Sequence, residues 1–170
     1  MTEQPTHALD DVTMVAPDGI AVHPIALPGL LGLSLAEGRI PPGEYGVHFH
    51  RSLEQVAYVL AGALIAVMGD PATGAATEVH CAAGDAVSTP PAVSLSFRNP
   101  GPAPARVLFI CAPPYPADDS DTATLEAHHA LSADELRAAI ARQQTVRAAV
   151  DRQYAARSAE LSALLTGAKS

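Results

Sequence analysis

GEYGVHFHRSLEQVAYVLAG, residues 43–62, is the stretch on which the reading of this chain turns. Residues 45–50 read as a strand, and side chains two apart on a strand share a face, so His48 and His50 point the same way. A second strand over 55–60 follows, with Glu54 at its start and Gln55 one residue in, and Gly62 ends it in a tight turn. Two imidazoles on one face, joined by an oxygen donor from the next strand, can close around one divalent metal ion.

Working outward, short apolar runs between Pro and Gly turn signals continue on both sides. Strands are expected around 20–27, 31–37, 45–50, 55–60, 63–68, 76–81, 86–89, 93–98 and 105–111, a pattern of all-β sandwiches and barrels. All 15 prolines lie at or before Pro116. Residues 112–131, proline-rich and then acidic, read as a connector crossing the surface without regular structure. From Leu131 the texture turns helical. Ser132 and Glu135 form a capping box, Leu131 and Leu136 a hydrophobic staple, and good helix formers run to Gly167. The apolar stripes Leu136/Ile140, Val146/Val150/Tyr154 and Leu161/Leu164/Leu165 do not share one face, so two helices or a bent one are expected.

The 43–62 stretch resembles the first motif of the cupin family, a His-x-His followed by Glu or Gln and a Tyr-Val-Leu-x-Gly turn. Residues 84–99, GDAVSTPPAVSLSFRN, resemble the second motif at Gly84, Asp85, Pro90, Phe97 and Asn99. The resemblance covers roughly residues 30–112. It implies a cupin-type antiparallel β-barrel (a double-stranded β-helix, jelly-roll-like) with a C-terminal α-helical appendage. The domain reading is an N-terminal segment with an edge strand at 1–29, the barrel at 30–115, the connector at 116–131, and one or more helices at 132–167.

The resemblance also implies one divalent transition metal (Fe, Mn, Ni, Zn or Co) held by His48, His50 and a third ligand. In the family that ligand stands three residues before the Tyr of the turn, which is Gln55 here; a slip of one residue would bring in Glu54, as ligand or catalytic carboxylate. Leu95 stands where the family carries its last metal-binding histidine. Strand alternation puts Leu95 with Phe97, and Gln55 with Ala57 and Val59, on inward faces, so these residues are expected to wall the substrate pocket. Arg39 and Arg98 are offered as partners for a substrate carboxylate, against the commoner reading as surface arginines. His80 is a remote fourth nitrogen donor, and His128–His129 a solvated pair.

Charge narrows the partners. Net charge is −8, with 14 acidic and 4 basic side chains in residues 1–131, which argues against nucleic acid or an anionic membrane. Arginines at 137, 142, 147, 152 and 157 wind around the helix and read as a solvated surface. Cys81 and Cys111 fit no metal or redox spacing and read as reduced, half-buried thiols. The polar, acidic start is unlike a signal peptide, so a cytoplasmic protein is expected. A small-molecule substrate and a homodimer complete the picture, the latter because barrel edges need covering.

All-neutral ligands leave a metal its full charge, which suits Lewis-acid chemistry on a small carbonyl or carboxylate compound: isomerisation, cyclisation or elimination. Two alternatives stand beside it: a non-catalytic ligand-binding barrel with a decayed site, and a non-haem iron dioxygenase, which needs Glu54 as ligand. The Ala- and Pro-heavy composition, with the family resemblance, points to bacterial specialised metabolism.

Overall fold

The computed structural model describes residues 14–27, 29–116 and 119–167. Most of the N-terminal segment, on which the reading of the polar start rests, lies outside the described residues. Twelve strands and one long helix appear among them. The strands are β1 (Met14–Val15), β2 (Ala21–Ile25), β3 (Ser34–Ile40), β4 (Gly43–Glu44), β5 (Val47–His50), β6 (Glu54–Ala61), β7 (Ala63–Gly69), β8 (Ala76–Ala82), β9 (Ala86–Thr89), β10 (Ser94–Asn99), β11 (Ala105–Ala112) and β12 (Thr122–Leu125); the helix is α1 (Ala133–Leu165).

All pairings are antiparallel. One sheet runs β1-β2-β3-β11-β6-β9; the other runs β12-β5-β10-β7-β8, with β4 on β10. β6, β9 and β11 bury alternate side chains, as a two-residue repeat requires when one face meets a core. In β11, Ala105, Val107, Phe109 and Cys111 are buried; in β6, Gln55, Ala57 and Val59 are. The core joins Ile40, Val59 and Val107 of the first sheet to Leu64, Leu95 and Phe97 of the second, so the sheets close on each other as a jelly-roll barrel.

Two glycines are required by the packing. Gly62 turns the chain from β6 in one sheet to β7 in the other at φ +83°, and a Cβ there would stand 3.1 Å from the Ala105 Cα. Gly38 on β3 lies under the Phe109 ring, and any side chain would run into it.

Two expectations are corrected. The connector is not irregular throughout: Asp119–Asp121 form a 3₁₀ turn and β12 pairs with β5, setting Thr122 opposite His50. An exposed edge of β5 offers unpaired backbone groups, and the connector satisfies them. The C-terminal region, expected as two helices or a bent one, is one helix. Its capping box closes on Ser132 and Glu135 as expected, and no Gly or Pro interrupts it before Thr166. Ion pairs three or four residues apart, Arg137–Asp134, Arg147–Asp151 and Arg157–Glu160, support a helix that buries only Ala139. It docks through Arg142 on Asp121 (3.5 Å) and Gln143, whose amide donates to the Arg51 carbonyl at 3.0 Å.

Candidate metal centre and its cavity

A cavity of about 280 Å³ opens between the sheets. β5 brings His48 and His50 to it, β6 brings Gln55, β10 Phe97, and β11 Phe109 and Cys111. His48 and His50 share the inner face, 4 % and 5 % exposed, with ring centroids 5.1 Å apart. Gln55 is buried beside them, its Oε1 3.2 Å from His50 Nε2. Glu54 is exposed and lines the groove beneath α1, with Gln143 and Tyr154, so strand phase gives the cavity to Gln55.

Each imidazole is held from behind. Nδ1 of His48 faces the Gly46 carbonyl at 3.4 Å and the Asp18 carboxylate at 3.8 Å. Asp18 is placed by the turn before β2: its carboxylate accepts from the Ile20 N–H, and its carbonyl from the Gly46 N–H. Nδ1 of His50 lies 3.3 Å from the Thr122 hydroxyl and 3.9 Å from Asp121. The Asp18 and Asp121 carboxylates stand on the Nδ1 side of the two rings, and Nε2 of His50 faces the Gln55 amide oxygen. Burial first, and the neighbouring His48 second, push the His50 pKa down to about 4, against the pull of Asp121 and Gln55. At neutral pH His50 is therefore an uncharged donor.

This donor set fits a transition-metal ion. Two donor atoms 3.2 Å apart match adjacent ligands of one ion, which for bonds near 2.1 Å stand about 3.0–3.4 Å apart. Among the described residues no group of three or more His, Cys, Asp or Glu side chains is drawn together as a metal site, and the oxygen donor beside the two histidines is the Gln55 amide.

The other sequence-named residues fall elsewhere. Phe97 lines the cavity, but Ala57, Val59 and Leu95 are packed in the core outside its lining, which corrects the expected pocket wall. Leu95 sits opposite His48 in the β5–β10 pairing. Arg39 is exposed and lies outside the cavity. Arg98 pairs with Glu78 and Glu44, and His80 with Glu78, all on the outer surface. His128 is not a solvated partner of His129: its ring lies 2.8 Å from the Ser94 hydroxyl and 3.2 Å from that of Ser96, locking the connector to β10. Burial and the charge of His48 lower its pKa.

Sequence reasoning missed Asp18, Asp121, Tyr115 and Thr122, and read Cys111, which lines the cavity, only as a half-buried thiol. The Tyr115 hydroxyl lies 2.7 Å from that of Thr122, and its ring meets His50 edge-on at 5.8 Å. The Pro17-Asp18-Gly19 turn and the acidic run before Thr122 are the only local signals of these residues, and both look like ordinary surface turns.

With this geometry in hand, residues 36–111 match the family model described as cupin domain. Those residues match a cupin domain, and the barrel they build has the cupin fold. Solved structures agree on the fold. A Klebsiella pneumoniae protein with a double-stranded β-helix domain superposes with TM-score 0.54 at 18% identity, covering 73% of this chain and 99% of that one. The TT1209 protein of Thermus thermophilus gives 0.50 at 23% identity, over 65% of this chain and 98% of that one. Lactobacillus farciminis oxalate decarboxylase gives 0.54 at 23%, over 62% of this chain and 31% of that one. No curated protein matches the chain. No helix among the described residues is long and apolar enough to cross a membrane.

Proposed function

We propose that this chain is a metal-dependent enzyme of isomerase, cyclase or lyase type, acting on a small carbonyl- or carboxylate-bearing metabolite. The observation that carries the reading is the meeting of His48, His50 and Gln55 at one end of a mostly apolar cavity, with Asp18 and Asp121 behind the imidazoles. His48, His50 and Gln55 would hold the ion and, as three ligands, leave positions open to substrate. When bound, the ion supplies Lewis acidity at a substrate oxygen.

The chain's own residues do the rest. Asp18 and Asp121 stand on the Nδ1 side of the imidazoles and would orient the rings for an ion held in the cavity. Phe97 and Phe109, rings 5.8 Å apart, wall the cavity with apolar surface and exclude bulk water from the polar end. The Tyr115 and Thr122 hydroxyls lie where a substrate oxygen beside His50 would meet them. The dioxygenase alternative needs Glu54 at the ion; Glu54 faces the helix groove, and that reading is not carried forward.

Elemental analysis of untagged protein tests the reading, beside the double variant His48→Ala/His50→Ala. About one ion per chain, lost in the variant, is expected of a three-ligand site. No ion after incubation with Fe(II), Mn(II), Ni(II) and Zn(II) overturns it in favour of a non-catalytic ligand-binding barrel.

A further inference from the structure

We propose that the cavity selects a small uncharged carbonyl compound with an apolar body, and rejects carboxylates and phosphates. This narrows the substrate class of the site above and rests on reading that cavity as the substrate site.

The first observation is charge. No Lys or Arg is among the described residues lining the cavity, and its one charged lining residue is Asp18. The four arginines of residues 1–131 are all engaged or directed elsewhere. Arg51 donates to the Ser120 and Thr122 carbonyls, Arg98 pairs with Glu78, Arg106 with Glu37, and Arg39 is exposed. Behind the histidines stand two carboxylates, Asp18 at 7 % and Asp121 at 0 % side-chain exposure. Arg142 reaches Asp121 from outside the barrel and does not line the cavity. An anion entering here loses its water beside two negative groups and finds no cationic side chain. The two carboxylates behind the rings would offset part of the charge of a divalent ion held at His48 and His50.

Polarity is the second observation. The hydrogen-bonding groups are linked at one end: Tyr115 to Thr122, Thr122 to His50, His50 to Gln55, and the Cys111 thiol to Gln55. Apart from Asp18, Ser34 and His48, the rest of the lining is apolar, led by Ile20, Val22, Leu35, Phe97 and Phe109. One polar end and one apolar body match a ligand with a single carbonyl; a sugar or a diacid would leave hydroxyls or charges against hydrocarbon. At about 280 Å³ the space lies at the small end of ligand sites, which suits a compound of single-ring size.

Acetophenone and benzoate are isosteric and differ in charge, so they test the proposal directly. Their affinities are measured by calorimetry on the full chain, both metal-free and metal-loaded. Acetophenone is expected to bind about tenfold or more tightly than benzoate in both forms. Ala36→Phe, which fills the cavity from β3, is expected to abolish that binding while the far-ultraviolet circular dichroism is kept. Equal or tighter binding of benzoate, binding of neither compound, or acetophenone binding unchanged in a folded Ala36→Phe each overturns the proposal. Should Ala36→Phe fail to fold, the wild-type comparison decides alone. Ketone binding by a protein that takes up no ion in the elemental analysis would sink the metal-enzyme reading and leave this one standing; a bound ion with benzoate preferred would do the reverse.

Discussion

The carboxylate of Asp121, with no exposed surface, lies 3.9 Å from Nδ1 of His50, and the two residues are 71 positions apart in the chain. The same carboxylate accepts from the Ser52 backbone N–H at 3.1 Å and from the Ser52 hydroxyl, and it meets Arg142 of the helix. One connector residue thus ties the strand carrying the histidines to the appended helix. Asp121→Asn removes the charge and leaves one oxygen acceptor. It is expected to lower stability by about 1–3 kcal/mol and metal affinity by about 10–100-fold. Thermal melts and competition with a chelating dye would show this; unchanged affinity would mean that Asp121 does not orient His50.

Acid should destabilise the metal-free protein through His50. Its folded pKa of about 4 lies below the ordinary value of 6.5, so between these pH values the unfolded chain binds more protons than the folded one. The stability of the neutral buried ring is therefore complete above about pH 6.5 and lost as pH falls toward about 4, a span of roughly 3 kcal/mol. Urea melts across that window should slope accordingly. His50→Gln should flatten the slope; a parallel slope in the variant would assign it to other groups.

Cys111 should be inert although it lines the cavity. Burial first, and the charge of Asp121 second, push its thiol up to about 12. Against an ordinary thiol near 9, that leaves roughly a thousandfold less thiolate at pH 8. Disulfide-exchange labelling of the native protein should be correspondingly slow at this position and fast in denaturant. Rapid native labelling located to Cys111 by peptide mass would contradict the packing described.

Helix docking should hinge on one small residue. Ala139 is the only buried residue of α1 and 1 % exposed, one turn before the Arg142 and Gln143 contacts. Ala139→Glu places a charge against the barrel and is expected to cost about 1–3 kcal/mol and to expose the helix to limited proteolysis. The capping box and the exposed Arg147–Asp151 pair are untouched, so helix content should survive. Full resistance to protease would show that the helix is held elsewhere.

Much of the barrel was legible from short-range pattern. His48, His50 and Gln55 were placed on inward faces by counting in twos, and they line one cavity. The Ser132–Glu135 cap was legible for the same reason, since both partners lie within one helical turn. Alternation overreached at Ala57, Val59 and Leu95: an inward face says only that a side chain leaves solvent, and these three fill core rather than border the opening. Helical stripes misled at 136–165, because capping, propensity and local ion pairs sustain one helix without a continuous buried face.

From the sequence alone came the barrel, the histidine pair with its neighbouring amide, the departure at Leu95 and the start of the helix, all carried by two-residue alternation, turn glycines or one-turn capping. Only the tertiary structure decided that Glu54 lines the groove beneath the helix, that Asp18 and Asp121 stand behind the histidines, and that every barrel arginine lies outside the cavity lining. Those relations join a turn before β2, a connector after β11 and a strand between them. Contacts across such separations leave no periodic trace in the chain, because they are set by where the closed sheets bring the loops and not by the residues beside them.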